Sequence, residues 1–154
     1  MELATFIKTL AKHPALDRSA AALQTADTRL HWKGMVGSAK SLLSLMVAQQ
    51  VPGTHLFILS DKEEAAYFLN DFEGLFPEDK RILFYPASYR VPYQQEQTDN
   101  SNVVARAEVL EKLSDKQNTW VVTYPEALFE KIPTKKNLVK HTMRLEVAKS
   151  YTTD

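Results

Sequence analysis

The chain has 154 residues, of which 44% are apolar and 25% charged, as is typical of one globular domain. Its 19 basic residues balance 19 acidic ones, which argues against a dedicated nucleic-acid binder, since such proteins usually carry a basic excess. The sequence contains no cysteine, which excludes disulfides, thiol catalysis and cysteine-ligated zinc and agrees with a reducing compartment.

The first half of the chain alternates between helical and strand-like spacing of its apolar residues. In chain order it predicts helices over 2–12 and 17–24, a short strand at 29–33, a glycine-bearing turn at 34–38 and a helix over 39–50. The continuous apolar run at 55–60 predicts a strand buried on both faces of a parallel sheet. Asp61 then provides a cap for a helix that extends to about residue 76.

The second half predicts further strands and helices in alternation. These are a strand at 81–85, a long polar loop at 86–101, a helix over 103–113, a strand at 119–123, a helix over 126–131 and a fifth strand at 141–147. Pro125 suits the first turn of the helix that it precedes. Strands separated by helices predict repeated βαβ units and an α/β fold with a mostly parallel, doubly wound sheet.

One loop combines residues with a specific chemistry. The run 34–41 reads Gly-Met-Val-Gly-Ser-Ala-Lys-Ser, and the phosphate-binding loop pattern is G-x-x-x-x-G-K-[ST]. Gly34, Lys40 and Ser41 occupy pattern positions, whereas Ala39 replaces the second glycine. A methyl group there would crowd the phosphates that backbone N–H groups otherwise cradle. The candidate residues of this vestigial phosphate loop are Gly34, Gly37, Ser38, Ala39, Lys40 and Ser41.

Two interpretations of the loop stay open at this point. It is either a relic of a P-loop fold or a strand-to-helix turn that happens to use glycine and lysine. Hydrolysis of ATP is not expected in either case, because the buried strands end in Ser60 and in Thr123-Tyr124-Pro125 rather than in Asp-Glu. We therefore expect no cofactor and no catalytic residue in this chain.

Four segments together resemble a known family. They are the loop with Leu42-Leu43, the strand and helix over 55–76, the single interrupted segment Leu83-Phe84-Tyr85-Pro86 … Val91-Pro92-Tyr93, and the run from Val121 to Leu128. Their order and spacing resemble the N-terminal module of the bacterial transcription-repair coupling factor (Mfd), which is itself similar to the repair helicase UvrB. The resemblance covers about residues 30–150.

The resemblance implies a fold and a role. The fold would be a three-layer, RecA-like helicase lobe with a degenerate Walker A loop, with 1–28 as a helical segment, 29–147 as the lobe and 148–154 as the start of a linker. The polar cluster at 151–154 would cap a following helix, so the chain is expected to be a fragment. In that family the module supports recruitment of UvrA and restrains the rest of the protein, while a separate motor with ATP and magnesium displaces RNA polymerase from damaged DNA.

The family's main UvrA contacts lie in a second domain that would begin near or beyond Asp154, so UvrA is expected to bind chiefly there. UvrB also carries a long damage-reading hairpin for which the loop at 86–101 is too short. Other partners implied are domains of the same chain and, through the full-length protein, RNA polymerase and DNA. We expect a cytoplasmic location and no membrane association, because the sequence has neither a signal peptide nor an apolar run of about 20 residues.

Two surface clusters are weaker candidates for interaction. Tyr89, Arg90 and Tyr93 could stack on bases or hold a partner loop, although a plain surface loop explains them as well. Basic residues near the C-terminus could contact phosphate or an acidic partner, although a solvated face is the simpler interpretation; they are Lys135, Lys136, Lys140 and Arg144. The scattered histidines predict no metal site. The alternative to a non-catalytic module is a small P-loop nucleotide-binding enzyme with an atypical loop.

Overall fold

The structure, a computed structural model, describes residues 3–88, 100–115 and 118–132. The predicted strand at 141–147 and most of the predicted polar loop lie outside these ranges. The described elements are α1 (Leu3–Leu10), α2 (Pro14–Leu23), α3 (Ala39–Gln50), β1 (His55–Ile58), α4 (Lys62–Leu75), β2 (Ile82–Phe84), α5 (Asn100–Ser114), β3 (Trp120–Thr123) and α6 (Pro125–Phe129). The fold of the described residues is mixed α/β.

The three described strands form one parallel sheet in the order β1-β3-β2. His55 and Ile82 both align with Trp120, so the flanking strands start level with the central one. The chain crosses from β1 to β2 through α4 and returns to the middle of the sheet through α5. All four residues of β3 are buried, as expected for a central strand covered on both faces.

Aromatic side chains fill the space between the sheet and α4. The Phe72 ring lies 5.1 Å from that of Phe57 and 6.4 Å from that of Trp120, both in edge-on geometry. Phe68 contacts the same group, with its ring centroid 4.4 Å from that of Phe72. Phe72 and Trp120 are 0% and 1% exposed, so this cluster is the centre of the core. The apolar spacing of α4 predicts burial of Ala65, Phe68, Leu69 and Phe72; Ala65, Phe68 and Phe72 are buried and Leu69 is partly buried.

The prediction that the first apolar strand is buried on both faces is wrong. Leu56 and Ile58 of β1 are each 54% exposed, whereas His55 and Phe57 on the alternate positions are partly buried against neighbouring rings. β1 is an edge strand among the described residues, and only the face that carries Phe57 packs against α4. An apolar run alone does not specify how many faces are covered.

The predicted strand at 29–33 is also wrong, because this segment pairs with no described strand. Trp32 instead packs against a second apolar cluster, which is formed by α1, α2 and the face of α3 that carries Met46 and Val47. Its indole N–H donates to Ser19 Oγ at 3.2 Å. Leu30 remains 42% exposed. The tryptophan therefore anchors the segment to α2 rather than to the sheet.

Several local predictions are confirmed. The helix over 39–50 has the predicted bounds, and Pro125 lies in the first turn of α6. Asp61 caps α4, since its carboxylate accepts the Glu64 backbone N–H at 2.8 Å. Every helix within the described ranges is too short or too polar to cross a lipid bilayer.

Candidate functional site

The loop at 34–41 connects the Trp32 segment to α3 through two backbone positions that favour glycine. Gly34 has φ +78° and Gly37 has φ +56°, values that a side chain bearing Cβ rarely adopts. No described strand precedes the loop, which corrects the strand–loop–helix context that the sequence predicts. The helix that follows it begins, as predicted, at Ala39.

Ala39 occupies the position at which a phosphate-binding loop has its second glycine. Its backbone N–H donates to the Val36 carbonyl at 3.2 Å, which closes the turn on itself. The next helical bond runs from the Leu42 N–H to the Ser38 carbonyl at 3.0 Å. A phosphate cradle needs backbone N–H groups that point at the anion. The Ala39 N–H is therefore already engaged within the protein.

Lys40 forms an ion pair with Glu64 of α4, between its Nζ and the Glu64 Oε1 atom. The second carboxylate oxygen, Oε2, accepts the Ser60 backbone N–H at 3.0 Å. Ser60 lies just beyond the carboxyl end of β1, so the carboxylate joins α3, α4 and the end of a strand. The lysine that would bind phosphate in a working loop thus contacts an internal anion.

A cleft of about 560 Å³ adjoins the loop. Its lining combines α1, the start of α3 and the C-terminal half of α4, and consists of Phe6, Ser38, Ala39, Leu42, Asn70, Asp71, Gly74 and Leu75. The only charged side chain among these is the carboxylate of Asp71, which would repel phosphate groups. Ser41, the residue expected to bind magnesium in a working loop, is 2% exposed.

A buried polar network lies at the carboxyl ends of β2 and β3. Arg106 of α5 is 7% exposed and donates through Nη1 to the carbonyl oxygens of Pro86 at 2.8 Å and Ala127 at 3.1 Å. Its Nη1 also lies 3.4 Å from a Glu130 carboxylate oxygen, and its guanidinium stacks 4.2 Å from the Tyr85 ring centroid. One side chain thus holds together α5, α6 and the segment that follows β2.

The same network fixes the start of the 86–101 loop. Glu130 accepts two hydrogen bonds from Ser88, from the backbone N–H at 2.8 Å and from Oγ at 2.7 Å. The Tyr124 hydroxyl accepts the Ala87 N–H at 2.9 Å, and the Asn102 side-chain amide donates to the Ala87 carbonyl at 2.9 Å. Residues 86–88 are therefore held in one conformation by groups on α5 and by the two residues that flank α6, Tyr124 and Glu130.

Two tyrosines of this network have pKa values above the ordinary value for a tyrosine side chain. Burial raises the pKa of Tyr85, and the nearby Arg106 charge offsets part of that effect. Burial likewise raises the pKa of Tyr124, partly offset by its hydrogen bond with Ala87. Both phenols therefore stay neutral at physiological pH. Sequence reasoning missed this network because its contacts join residues 15 or more positions apart, and no periodic pattern marks Arg106 or Glu130.

The weaker candidates remain untested by the structure. Tyr89, Arg90, Tyr93, Lys135, Lys136, Lys140 and Arg144 all lie outside the described residues. Within the described ranges, no group of three or more histidines and carboxylates could hold a metal ion. Trp120, which lies in the predicted strand at 119–123, is 1% exposed and belongs to the core.

Comparison with known proteins found no matching family model, no matching curated protein and no matching solved structure.

Proposed function

We propose that this chain is the non-catalytic N-terminal module of a transcription-repair coupling factor. In this role it supports recruitment of UvrA to stalled RNA polymerase and restrains the full-length protein through contacts with its other domains. The proposal rests on the sequence resemblance to that family and on one structural observation. The loop has the spacing of a phosphate-binding loop, yet its lysine is paired with Glu64.

Three features of the loop support the loss of nucleotide binding. Ala39 adds a methyl group where the pattern has glycine, and its backbone N–H bonds Val36 instead of facing outward. The positive charge of Lys40 is neutralised by Glu64. A nucleotide would have to displace both internal contacts before it could bind, which favours a relic over a working enzyme.

The three layers of the RecA-like lobe that the resemblance implies would need helices on both faces of the sheet, and α4 and α5 are placed in that way. α4 packs on the sheet face that carries Phe57 and Trp120, whereas Arg106 of α5 stacks on Tyr85, which follows β2 on the opposite face. Opposite placement is what two right-handed crossovers in opposite directions require. The loop opens α3, a helix that contributes Leu45 and Ala48 to the main core.

The chain as it stands is expected to show no binding of magnesium-ATP. Calorimetric titration at ~150 mM salt, approximately physiological, measures this directly. Micromolar affinity would contradict the proposal and favour the alternative, a small P-loop nucleotide-binding enzyme. A titration of a known P-loop ATPase under the same conditions provides the positive control.

The assignment to a coupling factor is tested separately by the domains that the full-length gene product carries. The natural product is expected to continue beyond residue 154 into a second domain and, far downstream, a RecA-like motor. A full-length protein that carries the second domain and the motor is expected to bind UvrA when it is purified intact. A natural product that lacks any motor would contradict the assignment without altering the conclusion about the loop.

A further inference from the structure

Glu64 is a residue to which the phosphate-loop pattern assigns no role. It lies in the first turn of α4, where Asp61 accepts its backbone N–H at 2.8 Å and fixes the turn. Both of its carboxylate oxygens are engaged, Oε1 by Lys40 Nζ and Oε2 by the Ser60 N–H at 3.0 Å. The carboxylate is thus held in place by backbone and side-chain donors together.

We propose that Glu64 is the residue that excludes phosphate groups from the loop, acting as an internal anion at Lys40. This inference rests on the proposed function, since it explains how the loop lost its ligand. Ala39 would exclude phosphates by shape, whereas Glu64 excludes them by charge. The two barriers are independent, so removing the methyl group alone leaves the repulsion by Glu64 in place and polyphosphate binding weak.

The charge barrier follows from the geometry. A polyphosphate that approached Lys40 would lie against a carboxylate already in contact with that lysine, and like charges at such separations repel even near a solvated surface. Lys40 and Glu64 are 44% and 29% exposed, so salt screens part of the effect and it is largest at low ionic strength. The pair itself contributes little to stability for the same reason.

If Glu64 had only a structural role, that role would be to cap the start of α4. As the third residue of α4 it acts like the acidic member of a capping box, except that it bonds Ser60 rather than the cap residue Asp61. A glutamine retains a carbonyl oxygen for the Ser60 N–H but lacks the charge. Glu64→Gln therefore separates the capping role from the electrostatic one.

The test is a calorimetric titration with inorganic tripolyphosphate at ~50 mM salt, a probe that needs no base or sugar pocket. It compares the unmodified chain, Ala39→Gly, Glu64→Gln and the double variant Ala39→Gly/Glu64→Gln. The double variant is expected to bind about tenfold or more tightly than Ala39→Gly, because charge repulsion at contact distance is removed. Adding Lys40→Met to the double variant is expected to abolish that gain. Glu64→Ser serves as a second uncharged replacement, and circular dichroism verifies that each variant is folded.

The outcomes separate the two proposals. Equal affinity of Ala39→Gly and the double variant, or no binding by either, would overturn the role of Glu64 and leave the non-catalytic module standing. A gain that survives Lys40→Met would also overturn it, because the binding would then lie elsewhere. Tight binding by the unmodified chain would overturn both.

Discussion

Arg106→Met is expected to lower the free energy of unfolding by about 3–5 kcal/mol, the cost of removing one partner from a buried ion pair. The substitution leaves the Pro86 and Ala127 carbonyls without their donor and Glu130 without its opposite charge. Methionine keeps most of the side-chain volume, so the loss reports the polar contacts rather than a cavity. Urea denaturation followed by circular dichroism measures it.

Lys112→Met is the matched control for that substitution. Lys112 lies on the same helix and pairs with Glu108 at 2.9 Å, four residues earlier, but the two side chains are 27% and 52% exposed. Its only other hydrogen bond among the described residues is a long one of 3.5 Å to the Lys80 carbonyl. Its loss is expected to change the free energy of unfolding by less than about 0.5 kcal/mol. A cost below about 1 kcal/mol for Arg106→Met would show that the network is not held by its charge.

Local signals in the sequence determine much of this fold. The helix from Ala39 and the cap at Asp61 follow from side-chain chemistry that acts within one turn, and both are found where expected. The same holds for Pro125, whose missing N–H costs nothing in the first turn of a helix. Such features depend on neighbours in the chain, so a single sequence specifies them.

Features that depend on distant partners were not determined in this way. The run at 29–33 has the composition of a strand, yet Trp32 found its partners in α2 and in the cluster around Met46. β1 is as apolar as a fully buried strand, yet its position at the edge of the described sheet leaves Leu56 and Ile58 exposed. Strand pairing is a long-range choice that local pattern does not fix.

The candidate site likewise combines a local feature that the sequence predicts with a long-range contact that it does not. The loop and its glycines are visible as a pattern of eight consecutive residues, and the structure places Lys40 at the start of α3 as that pattern predicts. The partner of Lys40 lies 24 positions later on another helix, and nothing in the spacing indicates it. The position of Lys40 at the start of a helix was therefore predictable from the sequence, but the carboxylate that it contacts was not.

Phe72→Ala is expected to lower the free energy of unfolding by about 3–5 kcal/mol, the range for removing a fully buried phenylalanine. The ring is 0% exposed and contacts Phe57, Phe68 and Trp120 at the centre of the core. The cost combines lost burial with the cavity that remains, because β1, β3 and α4 are joined around it and can close only partly. Because Trp120 would lose its contact with the Phe72 ring, the near-ultraviolet circular dichroism signal is expected to weaken as well.

Tyr67→Ala on the same helix removes a ring of similar size from the surface. Tyr67 is 73% exposed, so its loss is expected to change the free energy of unfolding by no more than about 0.5 kcal/mol. The contrast between the two variants isolates burial from helix propensity, because alanine favours α4 equally at both positions. Similar costs for the two would mean that α4 does not pack on the sheet through Phe72, and the parallel core described above would then be wrong.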